Sequence, residues 1–298
     1  MIVMMGATGQ VGSAALEALK QHGGPAPVRV IARNPERAKH LAGNGVEIVR
    51  GDAGDTAGLA AAFAGADAAF VLLVPPMQAG NVLGESRVMA RSIAQALRDA
   101  HVPHVVALSS AGADLADGNG IVRTLHDFEQ ALAGVAPSLT FLRPGDFMEN
   151  WASLLPAARE AGVLPSAKMP LDAASETVSA LDVGRTVAAL LREPRPGRRI
   201  VNLAGPRDYS PADAAAALAL LLGKPVMAVP SSRAETIASL EAVGASADYA
   251  AKLADLSDAV NAGRVGFRPD EGEGGGEMRR GTVTLQEALQ RLAQGERS

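Results

Sequence analysis

One spacing near the start of this chain restricts its fold more than any other feature. The apolar run 2–5 leads directly into Gly6-Ala7-Thr8-Gly9-Gln10-Val11-Gly12, a G-x-x-G-x-x-G spacing that opens an amphipathic stretch. Val11, Ala15, Ala18 and Leu19 recur there at helical spacing, and Gly23-Gly24-Pro25 ends the stretch. Strand, glycine turn and helix in that order begin a βαβ unit, which implies a parallel sheet. In such a turn Gly6 permits the tight bend, Gly9 lets backbone N–H groups approach a phosphate, and Gly12 allows close packing of helix on strand. The helix N-terminus adds partial positive charge, so the turn suits a pyrophosphate.

The alternation continues to about Arg143. Strands are expected over Ile2–Met5, Val28–Ala32, Val46–Arg50, 68–73, 105–109 and 139–142, each nearly continuous in hydrophobicity as a strand covered on both faces is. Helices fill the gaps, so the expected fold class is α/β, a doubly wound parallel sheet. After Arg143 the rhythm is broken by Pro144, Pro156, Pro165 and Pro170, which reads as a smaller C-terminal lobe. A helix over 182–192 and a strand over 199–203 return to the first unit. Ser210 and Pro211 open an Ala/Leu helix to Leu222, and helical patterns cover 233–243 and 247–262. The run 270–276 has no apolar residue and is expected to be a mobile loop.

Composition narrows the partners. The 28 Lys+Arg against 32 Asp+Glu and the 3% aromatic content supply neither a basic face nor stacking platforms, so no nucleic acid is expected. The absence of cysteine removes disulfides, thiolate metal sites and cysteine nucleophiles. His101 and His104 have no third ligand in sight, so no metal is expected. No basic residue precedes Lys20, and the longest apolar runs, 68–74 and 214–222, are shorter than the roughly 18 residues that span a bilayer. The expectation is a cytoplasmic protein without a signal peptide or membrane span.

Which dinucleotide the turn takes is decided after the second strand. There Arg33 stands where an acid would serve a ribose 2′-hydroxyl, and its planar fork suits a 2′-phosphate, with Arg37 a turn further on. NADP(H) is therefore expected over NAD(H). Asp52, after the third strand, either accepts from the adenine amino group or caps the next helix. Val74, Pro75 and Pro76 follow the fourth strand toward the second ribose. Ser109 and Ser110 end the fifth strand, where polar groups face a nicotinamide, and His126 lies on the following helix as a candidate proton carrier. Trp151 either lines the pocket or belongs to the core.

The opening glycine motif, Arg33, Gly51-Asp52-x-x-Asp55 and Leu142-Arg143-Pro144-Gly145-Asp146-Phe147-Met148-Glu149-Asn150 together resemble the NmrA-like branch of the atypical short-chain dehydrogenases/reductases. The resemblance implies a Rossmann fold with a smaller C-terminal substrate lobe. It places Gly6, Thr8, Gly9, Gln10 and Val11 on the pyrophosphate, and Phe147 and Asn150, just past Pro144, near the nicotinamide. We assign residues 1–146, with 181–204 returning, to the NADP(H)-binding unit, and 147–180 with 205–298 to a mainly helical substrate lobe.

The sequence departs from the wider reductase pattern at one place. The helix expected over 121–132 carries neither the Tyr nor the Lys that usually donates the proton and holds the ribose. Losing that acid disfavours ordinary ketones by a factor of about 10² to 10⁴. A quinone is different, because the hydroquinone anion takes its proton from water. The expected function is NADPH-dependent reduction of a small conjugated acceptor such as a quinone, with Ser109 and His126 as candidate catalytic groups. The alternative is a non-catalytic NADP(H)-sensing regulator acting through a protein partner, and a nucleotide-sugar epimerase is a third reading. Either a monomer or a homodimer is compatible with these patterns.

Overall fold

A computed structural model describes residues 1–21, 27–43, 45–267 and 276–295. The glycines expected to end the first helix, and residues 270–275 of the expected mobile loop, lie outside the described residues. In chain order the elements are β1 (Ile2–Met5), α1 (Gln10–Gln21), β2 (Val28–Ala32), α2 (Pro35–Ala38), β3 (Val46–Arg50), α3 (Thr56–Phe63), β4 (Ala68–Leu72) and α4 (Val82–Asp99). They continue with β5 (His104–Leu108), α5 (Arg123–Leu132), β6 (Ser138–Pro144), β7 (Asp146–Phe147), α6 (Leu155–Ala161), β8 (Val163–Ser166), β9 (Thr177–Val178) and α7 (Ala180–Leu190). The last are β10 (Gly197–Ala204), α8 (Pro211–Leu222), β11 (Met227–Pro230), α9 (Arg233–Ala242), α10 (Ala247–Asn261), β12 (Glu277–Arg280) and α11 (Leu285–Ala293).

Eight strands form one sheet in the order β12-β10-β6-β5-β4-β1-β2-β3, every neighbouring pair parallel. This is a Rossmann-like sheet. Its order reverses between β1 and β4, and ligands of such sheets bind in the crevice outside the carboxyl ends of the strands at that switch.

Alternation along each strand divides the core. Ile2, Met4, Val30, Phe70, Leu142 and Val201 face α1 and α7, while Val3, Ile31, Val71, Val105 and Phe141 face α3, α4 and α5. Both faces are covered, which is why the strands read as continuous apolar runs. Gly184 lets α7 lie close on α1, because a Cβ there would stand 2.5 Å from Ala14 Cβ and 2.7 Å from the Val11 carbonyl oxygen. A third cluster, including Met148, Trp151, Leu164, Tyr209, Leu218 and Leu289, lies beyond the sheet and includes residues of α6, α8 and α11. Trp151 is 6% exposed within it, so it belongs to the core.

The strand β12 is a difference from the sequence reading, which placed 205–298 entirely in the helical lobe. Glu277–Arg280 instead adds an edge strand to the main sheet beside β10. No helix of the described residues is long and apolar enough to cross a membrane.

Candidate functional site

The glycine turn is built from backbone constraints. Gly6 has φ +69°, and a Cβ on it would meet Leu72 Cδ2 at 2.5 Å. Gly9 closes the turn by donating its N–H to the Gly6 carbonyl at 3.0 Å. Because Gly9 precedes α1 and has no side chain, it cannot cap the helix. By contrast Asn34, Asp55, Asn81 and Ser179 each accept a first-turn N–H at the start of α2, α3, α4 and α7. The first-turn amides of α1 are thereby left for an outside acceptor, at the positive end of the helix. Thr8, Gly9 and Gln10 are exposed there, while the Val11 side chain is buried and only its backbone could serve.

At the far side of the switch, Arg33 and Arg37 are exposed and, among the described residues, make no ion pair. Asn34 caps α2 by accepting from the Glu36 N–H at 3.1 Å. Asp52 is not the cap of α3. That role belongs to Asp55, whose Oδ1 accepts from the Gly58 N–H at 3.0 Å, while Asp52 Oδ1 closes a tight turn with the Gly54 N–H at 2.8 Å. Asp52 lies three positions before the helix's true cap, so its side chain reaches only Gly54 and remains exposed.

On the other side, Val74 is 63% exposed just past β4, an unusual position for an apolar side chain, with Pro75 half-buried beside it. The loops after β5 and β6 are joined by backbone bonds, Ser109 N–H to the Leu142 carbonyl at 2.8 Å and Ala111 N–H to the Pro144 carbonyl at 2.9 Å. The Ser109 hydroxyl is buried and donates to Glu129 Oε1 at 2.6 Å. Glu129 also receives Nε and Nη2 of Arg143, both at 2.8 Å, so Ser109 is one arm of a buried charged network. His126 is half-buried. Its Nδ1 donates to the Ala113 carbonyl at 2.9 Å, which makes Nε2 the acceptor in the neutral ring. His104 is a core histidine at the opposite end of β5, bonded to Ser138 Oγ and the Leu190 carbonyl.

Past β6 the chain forms a polar cluster that sequence reasoning missed. Asn150 Nδ2 donates to Asp146 Oδ1 at 2.6 Å, and Lys168 Nζ donates to Asp146 Oδ2 at 2.6 Å and to Ser175 Oγ at 3.3 Å. The ammonium lies 5.7 Å from the centroid of the Trp151 ring. Phe147 is half-buried and packs toward the α1 and α7 face. Glu149, next to Asn150, points inward and accepts from Ser179 Oγ and the Ala180 N–H at the start of α7. Burial pushes its carboxyl above the usual carboxylate value, against the pull of those bonds. The one signal for Lys168 was Asp146 itself, a carboxylate between Gly145 and Phe147 with no cation beside it in the chain.

The parallel sheet thus brings Gly6 to Val11, Arg33, Asp52, Val74, Pro75, Ser109, Pro144 and Phe147 to one edge, with Asn150 following. His126 is set back on α5, and Arg37 on α2. Uncapped amides, an unpaired guanidinium and exposed apolar side chains fit, in that order, a pyrophosphate, an adenosine phosphate and a flat ring.

Comparison with known proteins agrees. Residues 6–194 match the model of a family described as NAD(P)H-binding. The chain belongs to this NAD(P)H-binding family. It is 30% identical to quinone oxidoreductase 2 of Escherichia coli (strain K12), over 98% of each chain. It is 34% identical over 227 residues to (4-alkanoyl-5-oxo-2,5-dihydrofuran-3-yl)methyl phosphate reductase of Streptomyces griseus subsp. griseus, covering 76% of this chain and 75% of that one. Among solved structures, an NADPH-dependent quinone oxidoreductase from Escherichia coli complexed with NADPH superposes with a TM-score of 0.79 and 27% identity, covering 98% of this chain and all of that one. The resemblance to the NmrA-like, atypical short-chain reductases read from the sequence is borne out.

Proposed function

We propose that the protein is an NADPH-dependent oxidoreductase that reduces a small conjugated acceptor such as a quinone. The observation that carries this reading is Arg33, exposed and unpaired where an NAD-preferring site holds an acid, beside a turn whose helix is left uncapped. The relatives' reductase names favour this reading over the regulator.

Bound NADPH would supply the hydride. The amides of Gln10 and Val11, with Thr8 and the bare Gly9 beside them, hold the pyrophosphate against the α1 N-terminus, Arg33 and Arg37 hold the 2′-phosphate, and Asp52 accepts from the adenine. Val74, Pro75, Pro144 and Phe147 border the ribose and nicotinamide and exclude water there. Asn150 orients the ring end through its amide, itself held by Asp146. The Ser109 hydroxyl, committed to Glu129 in the buried network, positions the loop after β5 and does not itself meet the acceptor. The His126 Nε2 first takes a proton from water and, as the imidazolium, passes it to the anion of the reduced acceptor.

Since α5 holds neither Tyr nor Lys, an acceptor whose reduced form is a stabilised anion suits the site best. In this reading 1–146 with 181–204 hold the dinucleotide, and 147–180 with 205–298, β12 aside, shape the acceptor side.

Calorimetric titration with NADPH, NADP+, NADH and NAD+, followed by a quinone panel read at the reduced-nicotinamide absorbance, tests the proposal. Preference for the phosphorylated forms and quinone-dependent oxidation above the protein-free rate are expected. Tight NADP(H) binding with no turnover on any quinone would overturn the enzyme reading. His126→Gln is expected to lower kcat by about 10² or more if the imidazole carries the proton, with NADPH affinity unchanged.

A further inference from the structure

The two outer strands β2 and β3 handle charge differently at their two ends. Toward the amino end, Arg29 stands opposite Glu47, and the pair is closed, Nε donating to Oε2 at 2.9 Å. The Arg29 Nη1 is further occupied by the carbonyls of Ala62 and Ala64. At the carboxyl end the ladder pairs Ala32 with Arg50, and no acid answers. Arg50 is exposed and, among the described residues, makes no ion pair or hydrogen bond, as is also true of Arg33 and Arg37.

The nearby acids are engaged elsewhere. Glu36 pairs with Lys39 at 2.5 Å, Asp55 caps α3, and Asp52 takes the Gly54 N–H. Strand alternation puts Arg50 on the face of Val46 and Ile48, which pack into the cluster under α1. Leu41, just past α2, packs into the same cluster, which anchors the segment after Arg37 beside this end of the sheet. The Arg50 Cα is about 5 Å from that of Ala32 across the ladder, one residue from Arg33. Arg33, Arg37 and Arg50 are thus three exposed cations on neighbouring segments, none with an acid of its own among the described residues. They make a local positive potential that a dianion would relieve.

We propose that Arg50 is a third ligand of the NADPH 2′-phosphate, with Arg33 and Arg37, and helps set the preference for the phosphorylated dinucleotide. The proposal rests on the reading that this site binds NADPH. Arg50 adds charge from a strand that no glycine or acid motif marks, so its contribution depends on the β2–β3 register.

Calorimetric titration of wild type, Arg50→Gln, Arg50→Glu and Arg33→Gln with NADPH, NADH, adenosine 2′,5′-bisphosphate and adenosine 5′-diphosphate tests it. Arg50→Gln is expected to raise the Kd for NADPH and the 2′,5′-bisphosphate about tenfold, with NADH and the 5′-diphosphate within about twofold. Arg50→Glu is expected to raise the first two further. Because Arg50 is exposed, its thermal unfolding is expected to match wild type, and a circular-dichroism melt checks this. If wild type preferred NADPH and Arg33→Gln abolished the preference while Arg50→Gln kept it, the role of Arg50 alone would be overturned. A wild type with no preference for the 2′-phosphorylated nucleotides would overturn both this inference and the cofactor reading beneath it.

Discussion

Gly12 lies directly against Gly6, so closely that a Cβ on Gly12 would stand 2.2 Å from the Gly6 carbonyl oxygen and 2.8 Å from Ala7 Cα. Both obstacles are backbone, which cannot rotate away. Gly12→Ala is therefore expected to destabilise the fold by about 1 to 3 kcal/mol and to displace the turn. Gly9→Ala, whose Cβ would meet only the Gly6 oxygen at 3.4 Å, is expected to keep the wild-type Tm. Thermal unfolding of the two variants distinguishes them, and equal Tm losses would refute the packing argument.

Arg33→Ala bears on the cofactor. NADPH affinity is expected to fall at least tenfold, the value of one charge-assisted bond or more, with NADH affinity little changed. Equal losses for both nucleotides, read by calorimetry, would remove Arg33 from the 2′-phosphate.

Glu129 is 3% exposed and gathers Arg143, Ser109 and, at 3.3 Å, Arg198. Glu129→Ala removes the carboxylate from buried donors that lose charge-assisted bonds, at an expected cost of about 3 to 5 kcal/mol. Ser109→Ala deletes one arm and is expected to cost about 1 kcal/mol. Urea unfolding of the two variants measures both, and similar values would show that the network is not centred on Glu129.

The raised carboxyl of Glu149 makes stability depend on pH. Its folded form binds the proton more tightly than the unfolded chain. Its contribution is fully present below the ordinary value of 4.5 and is lost as pH rises through the folded value. Glu149→Gln keeps an acceptor for the Ala180 N–H and cannot ionise. It is expected to match wild type in acid and to gain stability relative to it toward neutral pH. Denaturant unfolding at stepped pH checks the slope, and a difference independent of pH would contradict the assignment.

Much of the architecture was legible in advance, for a reason visible in particular residues. The run 2–5 matches β1 because a strand covered on both faces is apolar throughout, whereas 28–32 and 46–50 match β2 and β3 on apolar residues that alternate with Arg29 and Glu47. Ser210 and Pro211 opened α8 as expected, with Asp213 completing a capping box. The strand β12 escaped notice because it is an edge. Glu277, Arg279 and Arg280 flank a single apolar residue, Met278, which is 46% exposed, so no buried pattern exists to read.

The site divided along the same line. The sequence reading allowed Asp52 to cap α3, and the path of the loop put Asp55 there instead. The Ser109 hydroxyl turned toward Glu129, Lys168 met Asp146 across 22 residues of chain, and Trp151 went to the core.

What the sequence by itself determined was local: the glycine turn, the strands it joins, and an arginine where an acid would exclude a 2′-phosphate. These depend on backbone freedom and on apolar spacing within a few residues. Which side chains share a hydrogen bond, and that Arg50 stands beside Ala32 with no acid opposite it, was decided only by strand register and packing. No local spacing encodes those distances, because they arise when segments far apart in the chain are laid side by side.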